Sequence, residues 1–270
     1  MRRAALLLLL LLAGCSGSPG SAGSAGSDDA PPRAEGARAR TGQVPAPDGV
    51  PIAYRQAGEH GTPLVLIHGW SCDATYWEHQ IADLGTRWRV VAVDLAGHGA
   101  SGAGREAWTV PAFAGDVGAV LEALDLRDAI LVGHSLGGVV AVEVARRHPD
   151  RVAGLIPVDS LQDIGFQLDE DALEGFLAPF REDFGAAMHE FVGGLFEPTA
   201  DPALAAAIAA DMAAAPPEVA VPALEGLFAY DLPAGVSELG VPIRAINAAR
   251  MPTDLEANRR FAPQFEVVLM

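Results

Sequence analysis

Residues 129–138 read Ala129-Ile130-Leu131-Val132-Gly133-His134-Ser135-Leu136-Gly137-Gly138. The first four are apolar and β-favouring, so they suit a buried strand. From Leu136 to Arg147 the apolar residues recur at helical spacing. Between them lies Gly-x-Ser-x-Gly. A strand that turns straight into a helix brings two backbones together, so Gly133 and Gly137 must carry no side chain. The turn leaves Ser135 projecting at the top of the sheet, and the helix N-terminus behind it favours negative charge developing there.

The pattern repeats on either side. Leu64 to Ile67 is a short apolar strand ending at His68-Gly69-Trp70. Trp88 to Val93 is another, ending in Asp94-Leu95-Ala96-Gly97-His98-Gly99-Ala100-Ser101-Gly102. Further strands are expected at Val152 to Val158, Val241 to Ile246 and Phe265 to Leu269, and helices at Ala74 to Leu84 and Val110 to Leu126. Asp48-Gly49, between the apolar stretches of Val44 to Gln56, predicts a hairpin. Short apolar strands alternating with helices imply a mostly parallel sheet covered on both faces. From Leu161 to Leu239 the chain is helical by composition, with six phenylalanines from Phe166 to Phe196. That separation is too long for a simple crossover, so a helical cap, about 161–239, is expected over the carboxyl ends of the strands, inserted after the sixth strand.

As a set, in this order and spacing, the three motifs resemble the α/β-hydrolase superfamily, over about Gln43 to Met270. The resemblance implies that fold, with Ser135 as nucleophile and an oxyanion hole made by the backbone N–H groups of Trp70 and Leu136. It implies structural roles for His68 and His98, and no metal or organic cofactor. Ser rather than Asp as nucleophile argues against haloalkane dehalogenase or epoxide hydrolase chemistry. The family's acid usually follows the strand Val241 to Ile246, where this chain has Asn247-Ala248-Ala249-Arg250-Met251 and no carboxylate. Two candidates remain: Asp159, after the preceding strand, and Asp254, with the third possibility that neither serves.

The family's base is a histidine in the loop after the last strand, and no histidine stands there. His60, His79, His134, His148 and His189 lie elsewhere; of these His189, in the cap, is the one that could approach the site. Two explanations compete: a sequence truncated before the final loop and helix, or a non-catalytic protein of this fold. The reading favours truncation, because loss of the final helix would uncover an apolar sheet face.

Composition narrows the function further. The 270 residues carry a formal net charge of -17, which repels phosphate backbones and argues against nucleic-acid binding. All 18 basic residues are Arg, so Schiff-base and P-loop chemistry is excluded. The first residues, Met1-Arg2-Arg3-Ala4-Ala5, precede seven leucines, Leu6 to Leu12, then Ala13-Gly14-Cys15. This resembles a bacterial lipoprotein signal, 1–14, with Cys15 as the lipidated residue. Residues 15–40, rich in Gly, Ser, Ala and Pro, form the expected flexible tether, and 41–270 the hydrolase domain. The expected protein is a lipid-anchored, extracytoplasmic serine hydrolase acting on a small hydrophobic ester or amide. The rivals are a ligand-binding protein of hydrolase fold and an acyltransferase or perhydrolase. Cys72, near the first glycine loop, reads as a small buried hydrophobe.

Overall fold

The computed structural model describes residues 37–270. The signal segment, Cys15 and nearly all of the tether fall outside them.

Eight strands form one sheet in the order β1-β2-β4-β3-β5-β6-β7-β8. β1 (Arg40–Pro45) and β2 (Pro51–Ala57) are the antiparallel hairpin. Its turn needs a left-handed residue, and Gly49 supplies it at φ +86°. β2 also runs antiparallel to β4 (Arg89–Val93). From β4 onward all pairings are parallel, through β3 (Pro63–Ile67), β5 (Ala129–His134), β6 (Val152–Val158), β7 (Ile243–Asn247) and β8 (Phe265–Leu269). The sheet is the α/β-hydrolase fold expected from the sequence.

The stretch expected as one helix from Ala74 is divided. A 3-10 turn, Ala74–Trp77, precedes α1 (Glu78–Leu84). Asp73 causes the tight start: its carboxylate accepts from both the N–H and the hydroxyl of Thr75, at 2.7 and 2.5 Å. α2 (Val110–Ala123) and α3 (Leu136–Arg147) pack together on the opposite face. Thr109 caps α2, with Pro111 just inside, an arrangement that suits a helix start. α3 is buried along almost all its length, and Val140, Val142 and Val144 are fully enclosed. Each such side chain contributes about 1.5–3 kcal/mol relative to exposure.

Between β6 and β7 come α4 (Glu170–Glu182), α5 (Phe184–Leu195), α6 (Pro202–Ala213), α7 (Pro217–Phe228) and α8 (Leu232–Ser237). Asp169, Asp183, Asp201 and Asp231 cap four of them. The cap is seated on the sheet by aromatic contacts: Trp70 meets Phe180, Phe184 and Phe191 edge-on at 5.2, 6.2 and 5.8 Å. The Trp70 indole N–H donates to the Ala220 carbonyl (2.7 Å), and the Tyr76 hydroxyl to Asp211 (2.7 Å).

α9 (Leu255–Phe261) links β7 to β8. On the sheet face that α1 covers at β3 and β4, the continuation across β6, β7 and β8 is lined by Ile156, Val158, Ile246 and Val268. These range from half-buried to 48% exposed. Parallel sheets are ordinarily covered on both faces.

Candidate active site

Ser135 sits between β5 and α3 with φ +51° and ψ -117°. A non-glycine residue in that region is strained by roughly 1–3 kcal/mol. The surroundings hold it there. Its N–H donates to the Val158 carbonyl (3.1 Å), and its own carbonyl accepts from Gly138 N–H (2.9 Å) and from the Ser160 hydroxyl (2.9 Å). A Cβ on Gly133 would fall onto the Gly137 carbonyl. One on Gly137 would meet the Ile67 carbonyl and lie 2.6 Å from the His68 carbonyl oxygen. Both glycines are therefore required by close backbone approach. A serine at a helix N-cap ordinarily spends its hydroxyl on capping; Ser135 makes no such bond, which leaves Oγ available for chemistry.

Of the two residues expected to supply the oxyanion hole, Leu136 directly follows this serine and Trp70 lines a cavity with it. Leu136 is the first residue of α3, where N–H groups have no intrahelical partner. Trp70 follows the His68-Gly69 turn, and Ser71 beside it is left-handed at φ +55°. Among the described residues neither amide has a protein acceptor. Ser135 lies at the junction of two cavities, one of about 360 Å³ bordered by Leu136 and one of about 30 Å³ bordered by Trp70.

Asp159 ends β6 with φ +43° and is 7% exposed. One carboxylate oxygen accepts from Ala248 N–H (2.7 Å) in the loop after β7. Burial raises its pKa, opposed by that hydrogen bond and by the Arg250 charge. Arg250 in turn bonds the Leu195 carbonyl and pairs with Glu197 (3.2 Å), tying this loop to the cap. Asp254 is placed differently: its carboxylate caps α9 by accepting from Ala257 N–H (2.8 Å).

The histidines divide by role. His68 donates from Nδ1 to the Gly69 carbonyl (2.8 Å) and accepts at Nε2 from Leu95 N–H (3.0 Å), joining the two glycine loops. His98 bonds the Ala96 carbonyl (2.9 Å), and its ring lies tilted against that of His68 with centroids 5.0 Å apart. Burial holds His68 near pKa 4 and His98 near 3, so both are neutral at pH 7. His134 is also held down, to about 4, by burial, and its ring packs on Gly69. It is the one histidine that lines either cavity at Ser135. His60, His79 and His189 are exposed, and His148 faces Glu122 at 3.8 Å. Among the described residues no group of three or more His, Cys, Asp or Glu could hold a metal ion.

Two residues that the sequence reading did not single out complete the frame. Ser160 bonds the nucleophile's carbonyl, and its N–H donates to Asn247 Oδ1 (3.2 Å). Asn247 is fully buried and donates to the Thr253 hydroxyl (2.8 Å). A Ser after a strand and an Asn ending another carry no spacing signal that would have marked them. Cys72 is buried and lines the smaller cavity.

Comparison with known proteins agrees with this geometry. The family model for the alpha/beta hydrolase fold matches residues 62–216. A non-heme chloroperoxidase from Streptomyces lividans is 37% identical over 150 residues, 54% of this chain and 54% of that protein. A pimeloyl-[acyl-carrier protein] methyl ester esterase from Sodalis glossinidius is 36% identical over 151 residues, 53% of this chain and 56% of that protein. The chain spans about half the length of the curated relatives it matches. Among solved structures, an esterase from Rhodococcus sp. superposes with a TM-score of 0.69 at 28% identity, covering 85% of this chain and 89% of that one.

Proposed function

The chain belongs to the alpha/beta hydrolase fold family, and on that premise we propose that it is a serine hydrolase of small esters working through an acyl-enzyme on Ser135. The observation that carries this reading is the serine itself. It is held at a strained turn, its hydroxyl is spared from capping, the neighbouring Leu136 and the cavity-sharing Trp70 have unpaired amides, and it lines two cavities. The esterase names of the Sodalis and Rhodococcus proteins support the same chemistry.

In this mechanism Ser135 Oγ attacks the ester carbonyl. The Trp70 and Leu136 N–H groups receive the developing oxyanion, each donor worth roughly 3–4 kcal/mol in the transition state. The base needs an imidazole beside Oγ, oriented by a carboxylate. We assign the carboxylate to Asp159, which is buried beside the strand-to-helix elbow that carries Ser135, with one oxygen already fixed by Ala248 N–H. Asp254 suits this role less, because its carboxylate caps a helix. Of the histidines in the described residues, His134 alone lines a cavity at Ser135, and its ring packs on Gly69, so none of them is assigned as the base. The site of action is the cell envelope: Cys15 directly follows the leucine run and a small-residue pair, a pattern that supports lipid anchoring on the extracytoplasmic side.

The natural protein should hydrolyse 4-nitrophenyl acetate, and Ser135→Ala should abolish this. A folded natural protein with no ester turnover and no fluorophosphonate adduct on Ser135 would instead favour a ligand-binding protein of hydrolase fold. Radiolabelled palmitate should enter the natural protein and be lost in Cys15→Ser.

A further inference from the structure

The two cavities that meet at Ser135 differ in size and chemistry. The larger, about 360 Å³, mixes apolar walls such as Leu227 and Leu232 with polar groups, among them Tyr230, Asp163 and Asp231. Both carboxylates are fixed locally: Asp163 accepts from Gly165 N–H and Asp231 from Ala234 N–H, each at 3.0 Å. No basic residue is among those lining this cavity. The smaller, about 30 Å³, lies between Trp70 and Cys72 on one side and Phe191, Leu195, Ile208 and Met212 of the cap on the other. It has room for about two water-sized groups.

We infer that the substrate is an ester of a short acyl group, two or three carbons long, with a larger alcohol that is neutral or cationic. This rests on the acyl-enzyme role of Ser135 proposed above. In the first half-reaction the Ser135 Oγ–acyl bond forms and the acyl–alkoxy bond breaks. The serine proton leaves on the alcohol by way of the base. Water then adds to the acyl-enzyme, the Oγ–acyl bond breaks, Ser135 regains its proton and the short acid departs. The acyl group stays attached while the alcohol leaves and water enters. The alcohol therefore needs the roomier lobe, and the acyl chain takes the small one. The cap is clamped over the small lobe: Tyr76 from the oxyanion side bonds Asp211 (2.7 Å), one residue before Met212, and Trp70 bonds Ala220 (2.7 Å). Two fixed carboxylates, with no basic residue among those lining the lobe, disfavour an anionic alcohol.

The test uses the natural protein and the isomeric pair octyl acetate and methyl nonanoate. Octyl acetate should show at least a tenfold higher kcat/KM, and 4-nitrophenyl octanoate at least a tenfold lower value than the acetate. Ile208 is only half-buried, so Ile208→Ala should fold, and it should move the preferred acyl length up by one or two carbons. The acetate of 4-hydroxybenzoate should be cleaved at least fivefold more slowly than that of its methyl ester. Turnover with methyl nonanoate equal or preferred overturns the orientation, and equal rates for the last pair overturn the charge preference. No turnover of any ester, with no fluorophosphonate adduct on Ser135, overturns the acyl-enzyme reading and the inference with it.

Discussion

Acid should destabilise this protein through its buried histidines, and His98 gives the cleanest case. Its ring is 5% exposed and held near pKa 3, against 6.5 when free, by burial and by the neighbouring His68. The folded state therefore refuses a proton that the unfolded chain accepts. Stability from this group is fully present above pH 6.5 and is lost as pH falls toward 3. Between pH 7 and 5 the unfolded chain becomes almost fully protonated at this site, which costs the fold about 2 kcal/mol. His68 and His134, both near 4, contribute similar losses over the same interval. Asp116 acts in the opposite sense, because burial lifts it to about 6 and the folded state gains a proton there; that returns about 1 kcal/mol by pH 5. The assay is urea unfolding of wild type and His98→Gln at pH 7 and pH 5. Wild type should lose about 2 kcal/mol more than the variant over this interval. Parallel losses in the two proteins would refute the assignment of His98 as a buried neutral group.

Three other outcomes follow from the same structure. Gly137→Ala should lower stability by about 1–3 kcal/mol and remove esterase activity, since the new methyl meets two strand-end carbonyls; thermal unfolding and a 4-nitrophenyl acetate assay check both. Glu143→Ala should cost about 3 kcal/mol, because this buried carboxylate holds Arg146, Arg147 and Tyr230 within 2.6–2.9 Å; chemical denaturation measures it. Asp159→Asn should leave stability near wild type yet lower kcat at least a hundredfold with little change in KM, which steady-state kinetics on the natural protein would show.

What could be read from the sequence was whatever backbone geometry forces on residue type. The elbow glycines, the Asp48-Gly49 turn and the unbroken apolar strands each announce a local constraint that few side chains satisfy. β7 begins at Ile243 rather than Val241, after Pro242, which has no N–H to give to a ladder. The cap was legible as a helical region but not as five helices, since its boundaries are set by aspartate caps scattered among alanines. Ser160 and Asn247 were invisible for a different reason: their partners lie 25 and 87 residues away in the chain. The two candidate acids also looked alike in sequence. Only their hydrogen bonds separate a helix cap from a carboxylate beside the elbow.

Every catalytic role proposed for this protein depends on Ser135 as nucleophile. The direct measurement is to treat the natural protein with a fluorophosphonate, digest it, and locate the adduct by peptide mass. A single phosphonyl group on Ser135, absent in Ser135→Ala and slowed at least tenfold in Asp159→Asn, is the predicted result. An unmodified Ser135 in folded, natural protein would contradict it.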